Sequence, residues 1–385
     1  MPAYVRTDPP AVTTLSELGR DLVVSALRSR GVLPGPPLRQ RARWGIDRAA
    51  QWGSEVGWLV GCNFSPSTAS NQLELWQPET FDPAVIDREL GWAADIGMNS
   101  IRLFLHDLMW VLEGERFLDR IDQVLDIAAS HGISVMPVLF DGIWDPEPRP
   151  GPQRAPRRGI HNSTWVQGPG AAVVADRSRW DSLRPYVERV VGRFGSDARI
   201  VAWDLFNEPD SPNPFYLRRD PTRKRERVAA LLELVWDWAE GVNPTQPLTV
   251  GVFLMQSSRH PEQASSVART ALERSDVISF HCYGAEPVLE RSIQGLGALR
   301  RPLVCTEWMG RPTSPPALID VFRRSGVGCY TWGLVDGRSQ TRFPWTSWVR
   351  RGTDRTPWFH ELLHGDGSPY DAAEIAAFRN ATQRR

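Results

Sequence analysis

The sequence predicts an α/β fold: a single-domain (β/α)₈ barrel, or TIM barrel, that follows an N-terminal extension. From about residue 52 onward, short and nearly continuous apolar runs alternate with amphipathic helical patterns, which indicates a parallel sheet covered by helices. Eight such units in a chain of 385 residues fit a barrel better than an open sheet. An open, doubly wound sheet is the alternative. The sequence contains no glycine-rich phosphate loop of the GxGxxG or GxxxxGK type.

The predicted strands and helices follow one another in regular order. Asp82 is suited to cap the first barrel helix, and Pro83 is suited to its first position. The eight predicted strands are 57–64, 99–106, 133–140, 199–206, 247–253, 276–283, 301–307 and 327–334. The helices are predicted at 81–97, 115–131, 180–194, 228–238, 262–274, 286–300, 315–325 and 371–382.

The start of the chain differs from the rest. The stretch "VLPGPPLRQRAR" at 32–43 is rich in Pro and Arg, so we expect residues 1–50 to be an extension, partly disordered or helical. Residues 51–385 are then the barrel domain. The first residues lack a secretory pattern, and no apolar run approaches the roughly 18 residues of a membrane span. We therefore expect a cytoplasmic location and no membrane partner.

Composition narrows the classes of function. Lys and Arg number 45 and Asp and Glu number 45, so a nucleic-acid partner is not expected. The 17 tryptophans are more than an average domain carries, and their flat faces suit either core packing or stacking on sugar rings. Cys62, Cys282, Cys305 and Cys329 lie in apolar runs and are expected to be buried free thiols. These features do not address the oligomeric state.

Two glutamates stand at the ends of predicted strands, where a barrel builds its active site. Glu208 directly follows the fourth strand, in "NEP", and Glu307 ends the seventh strand, in "TEW". Both would lie on one rim, on opposite walls of the barrel mouth. Glycosidic cleavage needs such a pair, because one acid protonates the departing oxygen while the other carboxylate attacks or screens the sugar cation. Either glutamate alone would be better explained as an ion-pair partner, whereas the pair with its flanking residues favours catalysis.

The stretches "WDLFNEP", "SFHCY", "VCTEW" and "YTWGL" together resemble the clan A retaining glycoside hydrolases, especially the cellulase-like enzymes of family five, over roughly residues 57–375. The motifs occur in the order of that family. The resemblance implies hydrolysis of an oligosaccharide or glycoside by double displacement, without a metal or other cofactor. "GCNFSPSTASNQLELWQ" and "WFHELLHGDGSPYD" are similar to a cellulase-like group often labelled 1,4-β-xylanase, and that label is not a substrate assignment.

The resemblance also implies a role for individual residues. Glu208 would be the acid/base and Glu307 the nucleophile. Six further residues would bind or position the substrate: Arg102, His106, Asn207, His281, Tyr283 and Trp332.

The roles of these six residues differ. Arg102 would lie under Glu307 and lower its pKa, and Tyr283 would donate a hydrogen bond to it. Asn207 would bind the sugar 2-hydroxyl, His281 would line the cleft beside the acid/base, and Trp332 would be the platform for the sugar. Arg102 could instead form a structural ion pair, and His281 could be a core histidine.

One position departs from the family pattern. Enzymes of family five usually have a histidine just after strand three, where this chain reads "FDGIWD" with Asp141. His106, after strand two in "LFLHD", is expected to fill that space. The substrate and the exact family therefore stay open.

A different motif, "HELLH" from His360 to His364, is typical of zinc proteases, in which two histidines four apart on a helix bind the metal. Here it leads into a Gly–Asp–Gly turn, and the extended motif would need a ligand where the chain has Tyr370. The barrel pattern also leaves no place for a zinc-protease sheet. We therefore expect no metal site and interpret the segment as at most two helical turns. Its apolar side chains would pack on the barrel: Trp358, Phe359, Leu362 and Leu363.

The connection after strand three contains "EPRPGPQRAPRRG" at 147–159, with four arginines. This segment could bind an acidic sugar, although a solvated loop is the favoured interpretation.

The preferred hypothesis for the whole chain is that it is a retaining β-glycosidase. A non-catalytic glycan-binding barrel is the alternative from another class, and a zinc hydrolase that uses HELLH is the third hypothesis.

Overall fold

The computed structural model describes residues 41–253 and 265–383. In this part of the chain, nine parallel strands form one sheet in the order β5-β4-β3-β2-β1-β9-β8-β7-β6. The strands are β1 Val60–Phe64, β2 Ser100–Phe104, β3 Ser134–Val138, β4 Trp203–Asp204, β5 Leu248–Thr249, β6 Val252–Phe253, β7 Ile278–His281, β8 Leu303–Trp308 and β9 Gly328–Trp332.

The sheet closes into a barrel because its two edge strands, β5 and β6, are consecutive pieces of the fifth predicted strand. β5 pairs with β4, and β6 pairs with β7. Between the pieces, the Gly251 N–H donates to Asp204 Oδ1 at 3.0 Å, and its carbonyl accepts from the Glu208 N–H at 2.8 Å. A Cβ at position 251 would lie 2.8 Å from Arg102 Nη2 and 3.0 Å from His281 Nε2, so only glycine allows this close approach. The predicted (β/α)₈ barrel is confirmed.

Helices alternate with the strands and bury their apolar faces. The helix over 83–96 begins as predicted, because the Asp82 carboxylate accepts from the Val85 N–H at 3.1 Å and Pro83 is the first helical residue. The α-helices are Ile46–Val56, Gln72–Trp76, Pro83–Ile96, Asp107–Glu113, Glu115–Ser130, Ala171–Ala175, Arg184–Phe194, Lys224–Gly241, Ser266–Arg274, Glu286–Gly297, Ile319–Ser325 and Ala372–Gln383. Among the described residues, 3₁₀ helices lie at Arg177–Leu183, Pro316–Leu318 and Trp345–Trp348.

Other predictions can be compared with the structure only in part. Of the predicted extension, residues 1–40 lie outside the described residues, while Trp44 is buried and a helix begins at Ile46. The start of the helix predicted at 262–274 also lies outside the described residues. The four cysteines are buried and unpaired, as expected. None of the described helices is long and apolar enough to cross a membrane.

Candidate active site

Arg102 lies at the centre of the site, in β2, and its side chain is fully buried. Its Nε and Nη2 both donate to Asp204 Oδ2, at 3.0 and 2.7 Å. Its Nη1 donates to Asn63 Oδ1 at 2.7 Å and to Glu307 Oε1 at 2.9 Å, and its Nη2 also reaches Asn207 Oδ1 at 2.7 Å. One guanidinium therefore joins side chains from β1, β4 and β8 and from the segment after β4.

Glu307 lies within β8 and is held from three sides. Besides the Arg102 contact, Tyr283 Oη donates to Glu307 Oε2 at 3.0 Å. His281 Nδ1 lies 3.6 Å from the same oxygen. The carboxylate is thus oriented at both oxygens and is already fixed in place for a ligand that enters the cavity.

Glu208 lies in the segment after β4 and has an unusual backbone conformation, with φ of 42°. A non-glycine residue in this left-handed region costs on the order of 1–3 kcal/mol, which the surrounding contacts must offset. Its Oε1 lies 2.7 Å from His281 Nδ1. Single ligand atoms of Glu208, His281 and Glu307 all lie within 4.8 Å of one another, so the two carboxylates face each other with the imidazole beside them.

The two glutamates differ in their electrostatic surroundings. Burial raises the pKa of Glu208 to about 7, and hydrogen bonding from Ser211 and the charge of Arg102 only partly oppose that rise. Burial also raises the pKa of Glu307, the charge of Glu208 adds to the rise, and the charge of Arg102 and the hydrogen bond from Tyr283 oppose it. Arg102 therefore acts in the predicted direction on Glu307, but desolvation outweighs it. Because only Glu307 contacts the guanidinium directly, Glu208 is the better place for a proton.

His281 is buried, and desolvation lowers its pKa to about 4, so the imidazole is neutral near pH 7. His281 Nδ1 and Glu208 Oε1 share one hydrogen bond, and the tautomer of the imidazole sets which atom donates. In the described residues, His281 Nε2 has no hydrogen-bond partner. His281, Glu208 and Glu307 also form a donor set that could hold a metal ion.

Asn207 is fixed at both ends of its amide. Its Oδ1 accepts from Arg102, and its Nδ2 donates to Asp141 Oδ1 at 3.0 Å. Asp141 also accepts from Trp165 Nε1 at 2.7 Å and from Gln72 Nε2 at 3.1 Å. Burial raises the pKa of Asp141 to about 7. Asp141 has no role in the sequence-based prediction, although its position directly after the third predicted strand could have indicated one.

The cavity above these residues contains about 930 Å³ of space, including its open mouth. Strand ends and the connections after β3, β4 and β9 build its wall together. The strand ends supply Asn207, Glu208, Tyr283, Glu307 and Trp332, the connection after β3 supplies Ile143, Trp144 and His161, that after β4 supplies residues 211–215, and that after β9 supplies Trp345 and His360. Phe104 and Trp165 hold the Trp332 ring edge-on, at centroid distances of 5.7 Å each.

His106 does not lie where the sequence analysis expected. It is fully buried and is absent from the cavity wall. Its Nδ1 accepts from the Leu108 N–H at 3.2 Å and caps the helix that begins at Asp107, while its Nε2 lies 2.9 Å from the Gln167 carbonyl. Both ring nitrogens are used by the backbone, so substrate contact does not fit this position. Arg102 is likewise fully buried and acts through Glu307 and Asn207.

The HELLH segment is not helical, so the expected helical turns are wrong. Glu361 takes φ of 61°, which breaks a helix. His360 is buried in the cavity wall, with Nδ1 2.5 Å from the Met309 carbonyl, whereas His364 is exposed and packs on Trp358 and Tyr370. The expected burial holds for Trp358, Leu362 and Leu363, while Phe359 is half-buried. The two histidines therefore lack the shared helical face that a zinc protease needs.

No protein-family model matches the sequence, and no curated protein matches it. A GH5_18 protein of Bifidobacterium longum subsp. longum resembles the structure with a TM-score of 0.58 and 15% identity, over 86% of this chain and 80% of that chain. A GH5_18 protein of Streptomyces cattleya, solved with GlcNAc, has a TM-score of 0.55 and 15% identity, over 85% and 80%. The exo-β-1,4-mannosidase of Opitutaceae bacterium strain TAV5 has a TM-score of 0.54 and 17% identity, over 85% and 60%. These likenesses show the barrel fold.

We predict that Arg102→Met lowers the free energy of unfolding by about 3–5 kcal/mol, because it leaves buried Asp204 and Glu307 without their cation. Arg102→Lys should lose less, since it keeps the charge but not the forked donors. Urea unfolding monitored by tryptophan fluorescence measures both changes. Arg184→Met is the control, since it breaks only a surface pair with Glu188 and should cost about 1 kcal/mol or less. A loss at Arg102 no larger than this control would contradict the proposed network.

We predict that His360 and His364 do not bind zinc together. Zinc titration followed by metal analysis should give the same stoichiometry for wild type and for His364→Ala, because among the described residues no group of three metal-ligating side chains includes His364. His131→Ala is a matched control, since His131 is a partly exposed histidine elsewhere on the surface. Loss of one bound zinc ion in His364→Ala alone would overturn this interpretation of HELLH.

Proposed function

We propose that the chain is a retaining β-glycoside hydrolase of the cellulase-like family-five type, with Glu307 as nucleophile and Glu208 as acid/base. The observation that carries the proposal is the short distance between the two carboxylates. One oxygen of each lies within 4.8 Å of the other. Retaining enzymes have carboxyl groups about 5–5.5 Å apart, whereas inverting enzymes need about 6.5–9.5 Å to admit a water molecule.

In the first step, Glu307 attacks the anomeric carbon while Glu208 gives its proton to the departing oxygen. The bond to the leaving group breaks as the glycosyl–Glu307 ester forms. In the second step, Glu208 removes a proton from water, the water oxygen attacks the same carbon, and the ester bond to Glu307 breaks. Glu208 ends with its proton restored, so each turnover consumes one water molecule and needs no metal or other cofactor.

The surrounding residues support these steps. Tyr283 and Arg102 stabilise the ionised form of Glu307 through hydrogen bonds at its two oxygens. Asn207, held by Arg102 and Asp141, is the residue we propose to contact the sugar 2-hydroxyl. The neutral His281 orients Glu208 without adding a charge that would lower its pKa. Trp332 is proposed as the platform for the reacting sugar, since its ring lies in the cavity wall.

The names of similar structures support a sugar substrate. One of the GH5_18 proteins was solved with GlcNAc, and another neighbour is an exo-β-1,4-mannosidase. We propose a β-linked oligosaccharide or glycoside as substrate. None of the three similar structures described above is named a xylanase. The intact glutamate pair favours this function over a non-catalytic glycan-binding barrel. A cytoplasmic location remains part of the proposal.

Stereochemistry tests the mechanism. NMR of the first-formed product from a β-glycoside should show the β anomer, because two inversions at one carbon give retention. A 2-fluoro glycoside of the preferred sugar should label Glu307, found by peptide mass spectrometry. Glu307→Gln should take up no label. An α anomer as first product, or a label on another residue, would refute the mechanism. No hydrolysis across a broad panel of nitrophenyl β-glycosides would instead favour the glycan-binding alternative.

The pKa of Glu208 gives a pH prediction. The acid must carry its proton, and a carboxyl with a pKa of about 7 keeps it up to neutral pH. For substrates with poor leaving groups, kcat/KM should therefore fall about tenfold per pH unit above neutrality. Activated aryl glycosides need little protonation in the first step, so their basic limb should be much weaker. Equal basic limbs for both substrate types would argue against Glu208 as the acid.

A further inference from the structure

A second cleft adjoins the catalytic cavity and differs from it in charge. Four arginines line this arginine cleft, Arg154, Arg157, Arg218 and Arg219, and no Asp or Glu is among the residues of its wall. The cleft contains about 1040 Å³ of space, including its open mouth. By contrast, the charged residues of the catalytic cavity wall are Glu208 and Glu307. Positive and negative groups are therefore separated between two neighbouring spaces.

Two of the four arginines already form ion pairs with carboxylates. Arg154 donates to Asp145 Oδ2 at 2.8 Å and to the Ser163 carbonyl at 2.9 Å. Arg219 lies 3.8 Å from Glu147.

The other two, Arg157 and Arg218, have no carboxylate oxygen within 4.0 Å among the described residues. Arg158, the next residue after Arg157, pairs with the exposed Asp354 at 3.4 Å and is not part of the cleft wall. Of the four arginines at 147–159, Arg157 is thus the only one without such a carboxylate among the described residues, and it lies in the wall of the arginine cleft.

Aromatic rings connect the arginine cleft to the catalytic cavity. Phe215 lines both spaces and stacks on Trp348 with ring centroids 4.8 Å apart. Trp144, in the cavity wall, stacks on the same Trp348 at 5.6 Å. The Arg157 guanidinium carbon lies 4.3 Å from the Trp348 ring centroid, which positions the planar group while leaving its N–H edges free to donate. A chain of sugars could follow this wall from one space into the other.

We propose that the arginine cleft binds an anionic group, a carboxylate or a sulfate, on the part of the substrate outside the catalytic cavity. The inference deepens the proposed function and rests on it. Arginine matches both anions because its fork of N–H donors makes paired, charge-assisted hydrogen bonds. An acidic group on the reacting sugar itself would meet Glu208 and Glu307, which disfavour it. The substrate class is therefore an acidic oligosaccharide whose reacting sugar is neutral.

The test compares Arg157→Gln/Arg218→Gln with a control of the same charge change, Arg158→Gln/Arg116→Gln. Arg116 is an exposed residue that pairs with Glu113 on the outer surface. The probes are β-1,4-linked xylo-, manno- and gluco-oligosaccharides, each in neutral, uronic-acid-bearing and sulfated form. Hydrolysis and calorimetric binding are measured for each. The uronic-acid and sulfate arms identify which anion the cleft prefers.

For the best backbone, wild type and control should prefer an acidic form over the neutral form. The Arg157→Gln/Arg218→Gln variant should lose about tenfold in kcat/KM or affinity on that acidic form alone. Its activity on an uncharged nitrophenyl glycoside should match wild type, because neither residue lines the catalytic cavity.

Equal use of neutral and acidic forms by wild type, or equal losses in the control, would overturn the inference. The two proposals can fail separately. Acidic oligosaccharides that bind through Arg157 and Arg218 but are never cleaved would refute the hydrolase and leave the anion site standing. Cleavage that ignores the charge of the oligosaccharide would do the reverse.

Discussion

The buried guanidinium of Arg102 is the interaction on which the rest of the site depends. A cation without access to water is tolerated only where carboxylates and hydrogen-bond acceptors surround it, and Asp204 and Glu307 supply the charge. Asn63 completes the set, and its own amide donates to the carbonyls of Thr306 and Thr331. The network therefore fixes the relative positions of β1, β2, β4, β8 and β9 at the end of the barrel where the glutamates meet.

The same network explains why the two glutamates differ. Arg102 carries one positive charge, while Asp204, Glu307 and Glu208 could together carry three negative charges. Burial makes such an excess costly, so one carboxyl is best kept protonated. Asp204 and Glu307 contact the guanidinium directly, and Glu208 instead faces a neutral imidazole, so the proton belongs on Glu208. In the proposed mechanism, the acid and the nucleophile are two identical side chains that differ in their distances from one cation.

Whether the sequence could predict the position of a residue depends on the contacts that fix that residue. Glu208, Glu307 and Tyr283 end or follow strands, and the barrel brings strand ends to one rim whatever the loops do. His106 was expected at the site because it also follows a strand, but its ring caps the next helix. HELLH looked helical, yet Glu361 takes a left-handed conformation among contacts to distant parts of the chain, such as that with Thr341. Sequence periodicity contains no information about such non-local contacts.

Chemistry and substrate choice reside in different parts of this fold. The strand ends hold the carboxylates, whereas much of the cavity wall comes from the connections after the strands, as with Trp144 after β3, Phe215 after β4 and Trp345 after β9. Loops tolerate changes that a packed barrel does not, so the wall can be altered without moving the glutamates. A barrel shared at 15–17% identity therefore shows the fold and does not identify the sugar. A proposal about the sugar must therefore rest on this chain's own residues, such as the arginines of the arginine cleft beyond Phe215.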